Sequence, residues 1–566
     1  MHPEAPADAP AAAYAAAEQR LRQLQRSPEV FGHPTGTVEW IETHISWLLL
    51  AGDFVYKFKK PLKLDFLDFS TPALRRGACE EELRINRRTA PALYLGLVAL
   101  TGTAHSLQLQ PAEAAPADAE PAVRMRRFAQ EALLSHLLEQ QRLLPSHIDA
   151  LAQQVAQFHA SAAVATPQQG WGTAQAAVAP VQDCLAALQP LVAQAVPDMG
   201  PALRQLAQWC ASQGTALAPV FLQRLQSGRV RECHGDLHLA NLVLIDGQPQ
   251  LFDAIEFNPA LRWIDCVADI AFLAMDLEAR GRTDLAWRFL NAWLEHTGDY
   301  AGLQVLQYYR VYRALVRARV AGLRLAQVEG EREGEGEDEV GVGVGGEGVG
   351  DKRAASLREV RRYLALALRF TEPRTVELWL AHGFSGAGKS TQSQALIAER
   401  GVVRVRADVE RKRLFGLAPQ ASSAAVRGGI YTAEASQRTH EALAQAARWA
   451  LGAGHTVLVD ATFLNPAMRQ RFMALATQAQ VPCRILSFEA PLAVLRERVR
   501  SRQLAGGDAS EASVQVLESQ WAAAQPLSPA EEALTVHVDT TRPVDWSALL
   551  PPGDGGAPAT SPVAPA

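Results

Sequence analysis

Three polar side chains in one short stretch have the spacing that phosphoryl transfer requires. Asp236 is followed five residues later by Asn241, and Asp253 comes next after two short apolar runs. A carboxylate can accept the proton of an attacking hydroxyl, while an amide oxygen and a second carboxylate can hold magnesium against the phosphates. Asp236 is therefore the candidate catalytic residue of this stretch, and Asn241 and Asp253 are its candidate metal ligands.

The apolar runs between these residues predict how they come together. Residues 242–245 and 250–252 have the composition of two short strands, and an Asp-Gly pair lies between them. Such a pair is typical of a tight hairpin turn. The hairpin would place Asn241 and Asp253 side by side. An ordinary turn and a strand cap are the alternative interpretation, which the complete spacing disfavours.

The stretch resembles the aminoglycoside phosphotransferase and choline kinase branch of the protein-kinase-like fold. The segment His-Gly-Asp that ends at Asp236, followed by Asn241, matches the His-Gly-Asp-x-x-x-x-Asn motif of that branch. The resemblance implies a two-lobed α+β domain that binds ATP and Mg²⁺. The branch has Asp-x-Glu or Asp-x-Asp at its metal strand. Here Glu256 lies one position further from Asp253, so its role stays open.

The resemblance also implies a phosphate-binding lysine on a strand and a glutamate on the next helix that holds it. Lys57 follows an apolar Phe-Val-Tyr run, and Lys59 is the alternative because period 2 places it on the same face. The alternative interpretation is that these lysines belong to a run of solvent-exposed charges. The helix predicted over residues 71–86 carries three consecutive glutamates. Glu82 is the preferred partner of the lysine, because the residues three and four positions later lie on the same side of the helix. Glu81 is the second choice.

Residues 123–128 form a short apolar and basic strand where the resemblance places the hinge between the two lobes. Backbone groups of this strand, including those of Met125, would pair with the adenine edge. No Gly-x-Gly-x-x-Gly precedes the lysine strand, so no phosphate-loop residue is assigned in this part of the chain.

Two further segments have no assigned function. The Ala-rich segment 1–27 predicts a helix from Ala11 to Gln25, with little to fix it to a core. The helix predicted over residues 306–327 places Arg310, Arg313 and Arg317 on one face. That face could bind an anion, although salt bridges and solvated charge are the commoner outcome.

A second phosphate site is predicted later in the chain. The sequence Gly-Phe-Ser-Gly-Ala-Gly-Lys-Ser-Thr follows an apolar strand at 376–380 and precedes a helix at 391–400, which is the context of a P-loop. Backbone N–H groups would surround the phosphates, with a catalytic lysine reaching them and a serine binding magnesium. The candidate nucleotide-binding residues are Gly383, Ser385, Gly386, Ala387, Gly388, Lys389, Ser390 and Thr391.

Acidic and basic residues complete this second site. Asp460 ends a buried strand and is, with Ser390, a candidate magnesium ligand; Asp408 follows another strand and is the candidate catalytic contact to the acceptor. Residues 495–502 have the arginine density of a lid over the phosphates, and Arg496 is the candidate nucleotide contact. A solvated helix is the alternative for that segment.

These features resemble the small P-loop kinases of the gluconate kinase, polynucleotide kinase and zeta-toxin type. The two halves together resemble a bacterial family described as bifunctional aminoglycoside phosphotransferase and ATP-binding protein. The resemblance implies two sites for ATP and Mg²⁺ and small hydroxylated acceptors, but it does not make an antibiotic the substrate. A P-loop half that only binds nucleotide and regulates the first domain is the main alternative. A pseudokinase scaffold is a third hypothesis, which the intact polar residues disfavour.

Composition limits the remaining possibilities. The chain has 566 residues, 48% of them hydrophobic, and a net charge of −5, which does not favour nucleic-acid or membrane partners. Its six cysteines contain no Cys-x-x-Cys pair, which argues against a disulfide framework and a zinc site. The N-terminus has no features of a signal peptide, so a cytoplasmic location is expected.

The fold class predicted is therefore multidomain, with an α+β protein-kinase-like two-lobed domain followed by an α/β P-loop domain that has a parallel sheet. The Gly- and Glu-rich composition after residue 328 predicts a flexible tether. The predicted segments are an N-terminal segment at 1–27, an N-lobe at 28–128, a C-lobe at 129–328, a linker at 329–352, a P-loop kinase-like domain at 353–546 and a disordered tail at 547–566.

Overall fold

The computed structural model describes residues 9–64, 67–103, 106–334, 349–426, 429–505 and 508–550. The middle of the predicted linker, 335–348, and most of the predicted tail, 551–566, lie outside the described residues. The chain forms two compact units. The first comprises Met1–Leu151, Gln157–Ala176 and Leu225–Asp269, and the second comprises Ala152–Ala156, Ala177–Arg224 and Ile270–Ala566.

The first part of the chain builds an antiparallel sheet with helices beside it. The six-stranded sheet has the order β1-β2-β3-β8-β6-β7. The lysine strand β3 lies between β2 and β8, near the middle of the sheet. The elements are α1 (Ala9–Gln25), β1 (Glu39–Glu42), β2 (Ser46–Ala51), β3 (Phe54–Lys59), β4 (Lys63–Leu64), β5 (Leu67–Asp68), α2 (Pro72–Asn86), β6 (Tyr94–Thr101), β7 (Gln108–Pro111), β8 (Glu120–Arg126) and α3 (Leu134–Glu139).

Helix α1 is better anchored than its sequence suggests. Leu21 and Leu24 are 2% and 0% exposed and belong to the same core cluster as Trp47 of β2. The guanidinium carbon of Arg22 also lies 3.8 Å from the ring centroid of Trp40. The expectation of a segment with little to fix it to a core was therefore wrong. The few large apolar residues that make these contacts are hidden in an Ala-rich background, which weakens the helical periodicity.

The central part of the chain is mainly helical. It contains α4 (Pro145–Ser161), α5 (Ala174–Ala195), α6 (Gly200–Ala216), α7 (Ala218–Gln226), β9 (Val230–Glu232), β10 (Leu242–Ile245), β11 (Gln248–Leu251), β12 (Trp263–Asp265), α8 (Cys266–Ala279), α9 (Thr283–Thr297), α10 (Leu303–Gly334) and α11 (Val349–Phe370). Both ends of the predicted linker are thus helical. One helical stretch, Pro167–Ala195, is long and apolar enough to cross a membrane by length and composition, with 28% of its apolar window buried. Core helices of soluble proteins pass the same test.

The last part of the chain is an α/β layer structure around a parallel sheet of order β14-β15-β13-β16-β17. This arrangement, together with the sheet and helices of the preceding parts, confirms the predicted order of an α+β part followed by an α/β P-loop domain with a parallel sheet. Its elements are β13 (Leu378–His382), α12 (Lys389–Arg400), β14 (Val403–Arg406), α13 (Ala407–Leu414), α14 (Ala433–Gly452), β15 (Val457–Asp460), α15 (Pro466–Gln478), β16 (Cys483–Glu489), α16 (Leu492–Ala505), α17 (Val514–Ala523), α18 (Pro529–Glu532), β17 (Thr535–Asp539) and α19 (Trp546–Leu549).

Helix α9 covers the β14 edge of this sheet. The side chain of Asn291 donates from Nδ2 to Val402 O at 2.9 Å and accepts at Oδ1 from Arg404 N at 2.7 Å. One buried amide thereby satisfies a donor and an acceptor of the edge backbone, which would otherwise lose hydrogen bonds to water. Helix α9 lies in the region predicted as C-lobe, yet it belongs to the second unit and packs directly on the P-loop sheet.

The close approach of α9 gives a test of this packing. Gly401, which ends α12 with φ 65°, has no room for a side chain, since a Cβ would lie 2.6 Å from Trp287 Nε1. Gly416 has a similar φ of 70° but nothing within 4 Å of a built Cβ. We expect Gly416→Ala to cost about 1 kcal/mol for the left-handed backbone alone, and Gly401→Ala about 2 to 4 kcal/mol because overpacking is added. Thermal unfolding of both variants would measure the difference, and equal losses would contradict the close contact.

Candidate active sites

The predicted hairpin forms and brings the metal-binding candidates together. The turn between β10 and β11 has positive φ values at Asp246 (50°) and Gly247 (74°), as a two-residue hairpin turn requires. Beyond the strands, Phe252 N donates to Asn241 O at 3.1 Å. Asn241 and Asp253 therefore lie at the same end of the hairpin, as expected.

The backbone before Asp236 is held by an acid that the sequence analysis missed. Asp269, at 0% exposure in α8, accepts from His234 N at 3.1 Å and from Gly235 N at 2.9 Å. His159 Nε2 lies 3.1 Å from the same carboxylate. Burial acts against its charge, but these partners outweigh burial and lower the pKa of Asp269. The available signal was an acid in the first turn of a largely apolar helix.

The Asp236 carboxylate is oriented by its neighbours. Asn241 Nδ2 donates to Asp236 Oδ2 at 2.8 Å and to Asp236 O at 3.0 Å, and His238 Nε2 lies 3.2 Å from Oδ2. The side chain of Asp236 is 33% exposed. It is thus fixed in direction yet within reach of solvent, as a residue that meets a substrate hydroxyl must be.

His234 ties this loop to the metal strand. Its Nδ1 accepts from Asp236 N at 3.3 Å, so Nε2 carries the proton that is donated to Phe252 O at 2.9 Å. Burial lowers the pKa of His234 and keeps the ring neutral. The loop and the strand are therefore joined by one imidazole.

A buried charge cluster lies on β3. Lys57 Nζ is 2.8 Å from Glu82 Oε1 and 2.5 Å from Asp253 Oδ1. Lys59 Nζ is 2.5 Å from Glu82 Oε2 and also pairs with Glu256. The side chains of Lys59 and Glu82 are both 0% exposed. Glu82 therefore bridges both lysines, while Lys57 is the lysine that contacts the candidate metal ligand.

The charges in this cluster stabilise one another. Burial acts against ionisation of Glu82, but Lys57 and Lys59 outweigh it and lower the pKa of Glu82 to about 2. Burial also acts against the two ammonium groups, yet the surrounding carboxylates raise the pKa of both. Glu256 behaves differently, because burial outweighs the attraction of Lys59 and raises its pKa. The structure thus pairs Glu256 with Lys59.

The other glutamates of α2 face elsewhere. Glu81 accepts from Arg84 Nε at 2.7 Å and pairs with Arg262. The structure therefore places Glu82, and not Glu81, beside the lysines. Their roles toward ATP remain predictions.

Asp253 has an uncommon backbone conformation, with φ 61°. Its N–H donates to Tyr94 Oη at 3.0 Å, and the next N–H, of Ala254, donates to Asn86 Oδ1 at 2.8 Å. A non-glycine residue in this region costs of order 1–3 kcal/mol and persists only where neighbours fix it. Tyr94 and Asn86 supply those contacts, and nothing in their spacing identified them in advance.

Met125 lies inside the sheet. Its Cα pairs with Val55 of β3 and with Tyr94 of β6, and its side chain is 6% exposed. The chain leaves the sheet only after Arg126. β8 thus begins three residues earlier and ends two residues earlier than the strand predicted at 123–128, and the contact of the Met125 backbone with adenine stays a prediction.

Asn241 and Asp253 have the chemistry that magnesium prefers. Since the amide nitrogen of Asn241 donates to Asp236, its oxygen is the end that can bind a cation. Together with the Asp253 carboxylate it forms a set of hard oxygen donors. These residues fit a magnesium ion.

The P-loop has its predicted form between β13 and α12. Lys389 Nζ donates to Gly383 O and Phe384 O, both at 2.9 Å, and burial lowers the pKa of Lys389. Ser390 Oγ donates to Asp460 Oδ2 at 2.8 Å. The two candidate magnesium ligands of this half are thus adjacent, and both offer oxygen.

The rest of the loop is closely packed. A Cβ at Gly386 would lie 2.7 Å from Leu495 O, so only glycine fits there at its φ of 81°. Ser385 N donates to Gln520 Oε1 at 2.9 Å, while Ala387 is 1% exposed and Thr391 is exposed on α12. Gln520 thus binds one of the loop amides, a contact that the motif alone could not reveal.

The arginines of α16 divide into two groups. Arg496 Nε donates to Glu518 on α17 at 2.6 Å, whereas Arg498 Nη1 reaches Gly386 O at 3.4 Å and Thr540 Oγ1 at 2.9 Å. The structure brings Arg498 to the P-loop and pairs Arg496 with an exposed acid. The density of arginines in the sequence does not indicate which of these two residues contacts the P-loop.

Asp408 lies in the first turn of α13, directly after β14. Asp408 is partly exposed. Its contact with an acceptor remains a prediction.

Of the three arginines of α10, Arg310 and Arg313 are buried and Arg317 is half-buried. Arg310 pairs with Glu278, the guanidinium of Arg313 lies 4.7 Å from the Phe272 ring centroid, and that of Arg317 lies 5.7 Å from the Tyr363 ring centroid. These contacts favour the structural interpretation over an anion-binding stripe.

Three buried residues of the first unit have the side-chain types of metal ligands. The ligand atoms of His159, Cys233 and Cys266 lie within 4.8 Å of one another. Cys233 Sγ donates to Ile264 O at 3.5 Å, and burial raises the pKa of this thiol. Cysteine spacing could not show this group, because the fold brings together residues that are far apart in sequence.

Comparison with known proteins places the chain in a family. A family profile described as an AAA domain matches residues 378–527. Uncharacterized proteins of Mycobacterium tuberculosis and Mycobacterium bovis are 30% identical over 507 residues, which is 89% of this chain and 93% of theirs. The chain belongs to the family of these mycobacterial proteins.

Solved structures resemble each half. A choline/ethanolamine kinase family protein from Mesorhizobium loti aligns over 62% of this chain and 99% of its own, at 11% identity and a TM-score of 0.34. A gluconokinase from Sinorhizobium meliloti 1021 aligns over 30% of this chain and 86% of its own, at 20% identity and a TM-score of 0.22. The profile match at 378–527, together with the parallel sheet and its P-loop, confirms the P-loop domain predicted from the sequence.

The position of Glu82 gives a second test. Glu82→Gln removes the charge that both buried lysines share, so we expect kcat/KM for ATP at the first site to fall about 10- to 100-fold through misplacement of Lys57. Glu80→Gln is the matched control, because Glu80 is exposed one position earlier on the same helix. Steady-state kinetics with varied ATP would compare the two, and a similar loss in both variants would contradict the assigned partner.

Proposed function

We propose that the protein is an ATP-dependent phosphotransferase with two active sites, each transferring the γ-phosphoryl group to a hydroxyl of a small molecule. The observation that supports the first site best is the joint placement of Asp236, Asn241, Asp253, Lys57 and Glu82 in one compact unit. These are the groups that phosphoryl transfer needs, and each is held by the contacts described above.

At the first site, Asp236 accepts the proton of the acceptor hydroxyl. The hydroxyl oxygen forms a bond to the γ-phosphorus, the bond from that phosphorus to the β–γ bridging oxygen breaks, and ADP leaves with the electron pair. Lys57, held by Glu82, contacts the α- and β-phosphates. Asn241 and Asp253 would hold magnesium, which supplies neutralisation of phosphate charge when bound. Placement and charge thus account for most of the catalysis.

At the second site, the P-loop backbone holds the phosphates of another ATP. Lys389 exchanges its two carbonyl contacts for phosphate oxygens, and Ser390 and Asp460 would hold magnesium. Asp408 orients the second acceptor hydroxyl. The acceptors proposed for both sites are small hydroxylated molecules of the cytoplasm, since a net charge of −5 does not favour a nucleic-acid acceptor.

A regulatory role of the P-loop half is the second candidate. It is favoured by the direct contact of Asn291 and Glu295 of α9 with β14, because a nucleotide-dependent change at the P-loop could reach α9 through these residues.

Product analysis separates the two candidates. The full-length protein, Asp236→Asn and Lys389→Ala are incubated with ATP and a pool of bacterial hydroxylated metabolites and aminoglycosides, and products are identified by an added phosphoryl mass. We expect Asp236→Asn to reduce one product about 10²- to 10⁴-fold through loss of the base. Lys389→Ala should reduce a different product about 10²-fold through loss of charge stabilisation.

Asp118→Asn and Lys352→Ala, two exposed positions, serve as charge-matched controls. If Lys389→Ala only changes the yield of the Asp236-dependent product, the P-loop half is a regulator. If neither variant changes any product, the two-site proposal is wrong.

A further inference from the structure

The end of α9 contributes an acid to the P-loop region. Glu295, 12% exposed, accepts at Oε1 from Arg404 Nε at 3.0 Å and Nη2 at 2.7 Å, and its Oε2 lies 3.4 Å from Arg406 Nη1. Charge-assisted pairs of this kind are short and directional. One carboxylate thereby holds two arginines of β14.

Arg404 extends this contact to the P-loop helix. Its Nη1 donates to Ser390 O at 3.0 Å and to Ser393 Oγ at 2.9 Å. Arg404 is 6% exposed, so its position depends on these few partners. Glu295 therefore acts through Arg404 on the first turn of α12, where Ser390 lies.

Arg406 connects Glu295 to Asp460, the candidate magnesium ligand at the end of β15. Its Nε lies 3.8 Å from Asp460 Oδ2, the same oxygen to which Ser390 donates, and its Nη2 lies 3.7 Å from Asp508 Oδ1. Arg406 thus stands between Glu295 and a candidate magnesium ligand. A guanidinium this close competes with a divalent cation for the carboxylate.

Glu295 is itself fixed in place. Arg413 of α13 donates to Glu295 O at 2.7 Å and to His296 O at 3.3 Å, and Asn291 one turn earlier binds the edge of β14. The acid therefore comes from a rigid helix end that lies outside the family match at 378–527.

We propose that Glu295 is a positioning residue of the P-loop magnesium site, which restrains Arg406 from Asp460 and holds Ser390 through Arg404. The proposal rests on the function proposed for the P-loop half. Without the Glu295 charge, Arg406 moves toward Asp460 and weakens the site for magnesium. The P-loop region thus depends on a residue from the predicted C-lobe.

The test measures binding and not turnover. Full-length protein carrying Asp253→Asn, which weakens the first site, is titrated with ATP by calorimetry at a series of MgCl₂ concentrations. Lys389→Ala in this background should remove one ATP-binding event. If Lys389→Ala leaves the ATP titration unchanged, the function proposed for the P-loop is wrong, and this result is separate from any effect of Glu295.

In the same background, Glu295→Gln should raise the MgCl₂ concentration for half-maximal ATP affinity about 10-fold, with affinity in the absence of magnesium changed less than about 2-fold. Adding Arg406→Gln should restore the magnesium requirement to within about 3-fold, a rescue that a merely structural role would not give. An unchanged requirement in Glu295→Gln, or no rescue in the double variant, overturns the proposal.

A second variant keeps the test decisive if Glu295→Gln does not fold. Arg406→Gln alone removes the competing cation and should lower the magnesium requirement. Glu359→Gln, an acid of α11 that pairs with Arg324 in the second unit, is the control. A raised requirement in Arg406→Gln would show that Arg406 assists the metal site, which overturns the proposal.

Discussion

Two ammonium groups buried on one strand set the main constraint on the first unit of the protein. Lys57 and Lys59 are 8% and 1% exposed, and an unpaired charge at such depth costs several kcal/mol. The fold must therefore bring carboxylates to β3 from elsewhere. Glu82 comes from α2, and Asp253 and Glu256 come from the segment after β11. The ion pairs that balance these charges thus connect α2 and the segment after β11 to the sheet.

Both candidate sites use the same arrangement. Each proposed magnesium carboxylate lies beside a cation of the protein, since Lys57 Nζ is 2.5 Å from Asp253 and Arg406 Nε is 3.8 Å from Asp460. These cations balance the acids in the protein alone. A metal that enters must share or displace them, so the strength of each site depends on how firmly the cation is held by other acids. Glu82 holds Lys57 in the first site, and Glu295 is proposed to hold Arg406 in the second.

Features whose residues lie close together in the chain could be recognised from the sequence. The Asp236, Asn241 and Asp253 spacing, its Asp-Gly hairpin and the P-loop could all be recognised because their geometry is local. The pairing of Glu256 with Lys59, the support of the loop by Asp269, and the contact of Arg498 with the P-loop could not be recognised. Each joins residues that are far apart in the chain, and several residues of the same type were equally plausible partners. The anchoring of α1 was missed because small residues dilute its apolar face.

The amide of Asn291 on the β14 edge also affects how the protein can be divided. An uncovered edge strand offers unpaired N–H and C=O groups to any other strand. Val403 and Val405 of β14 are both 0% exposed and alternate with two arginines, so an uncovered edge would offer an apolar face for pairing between chains. A fragment that begins at Val349 would lack α9 and leave that edge open. Self-association into β-rich aggregates, and not a loss of the P-loop fold as such, would then limit its solubility.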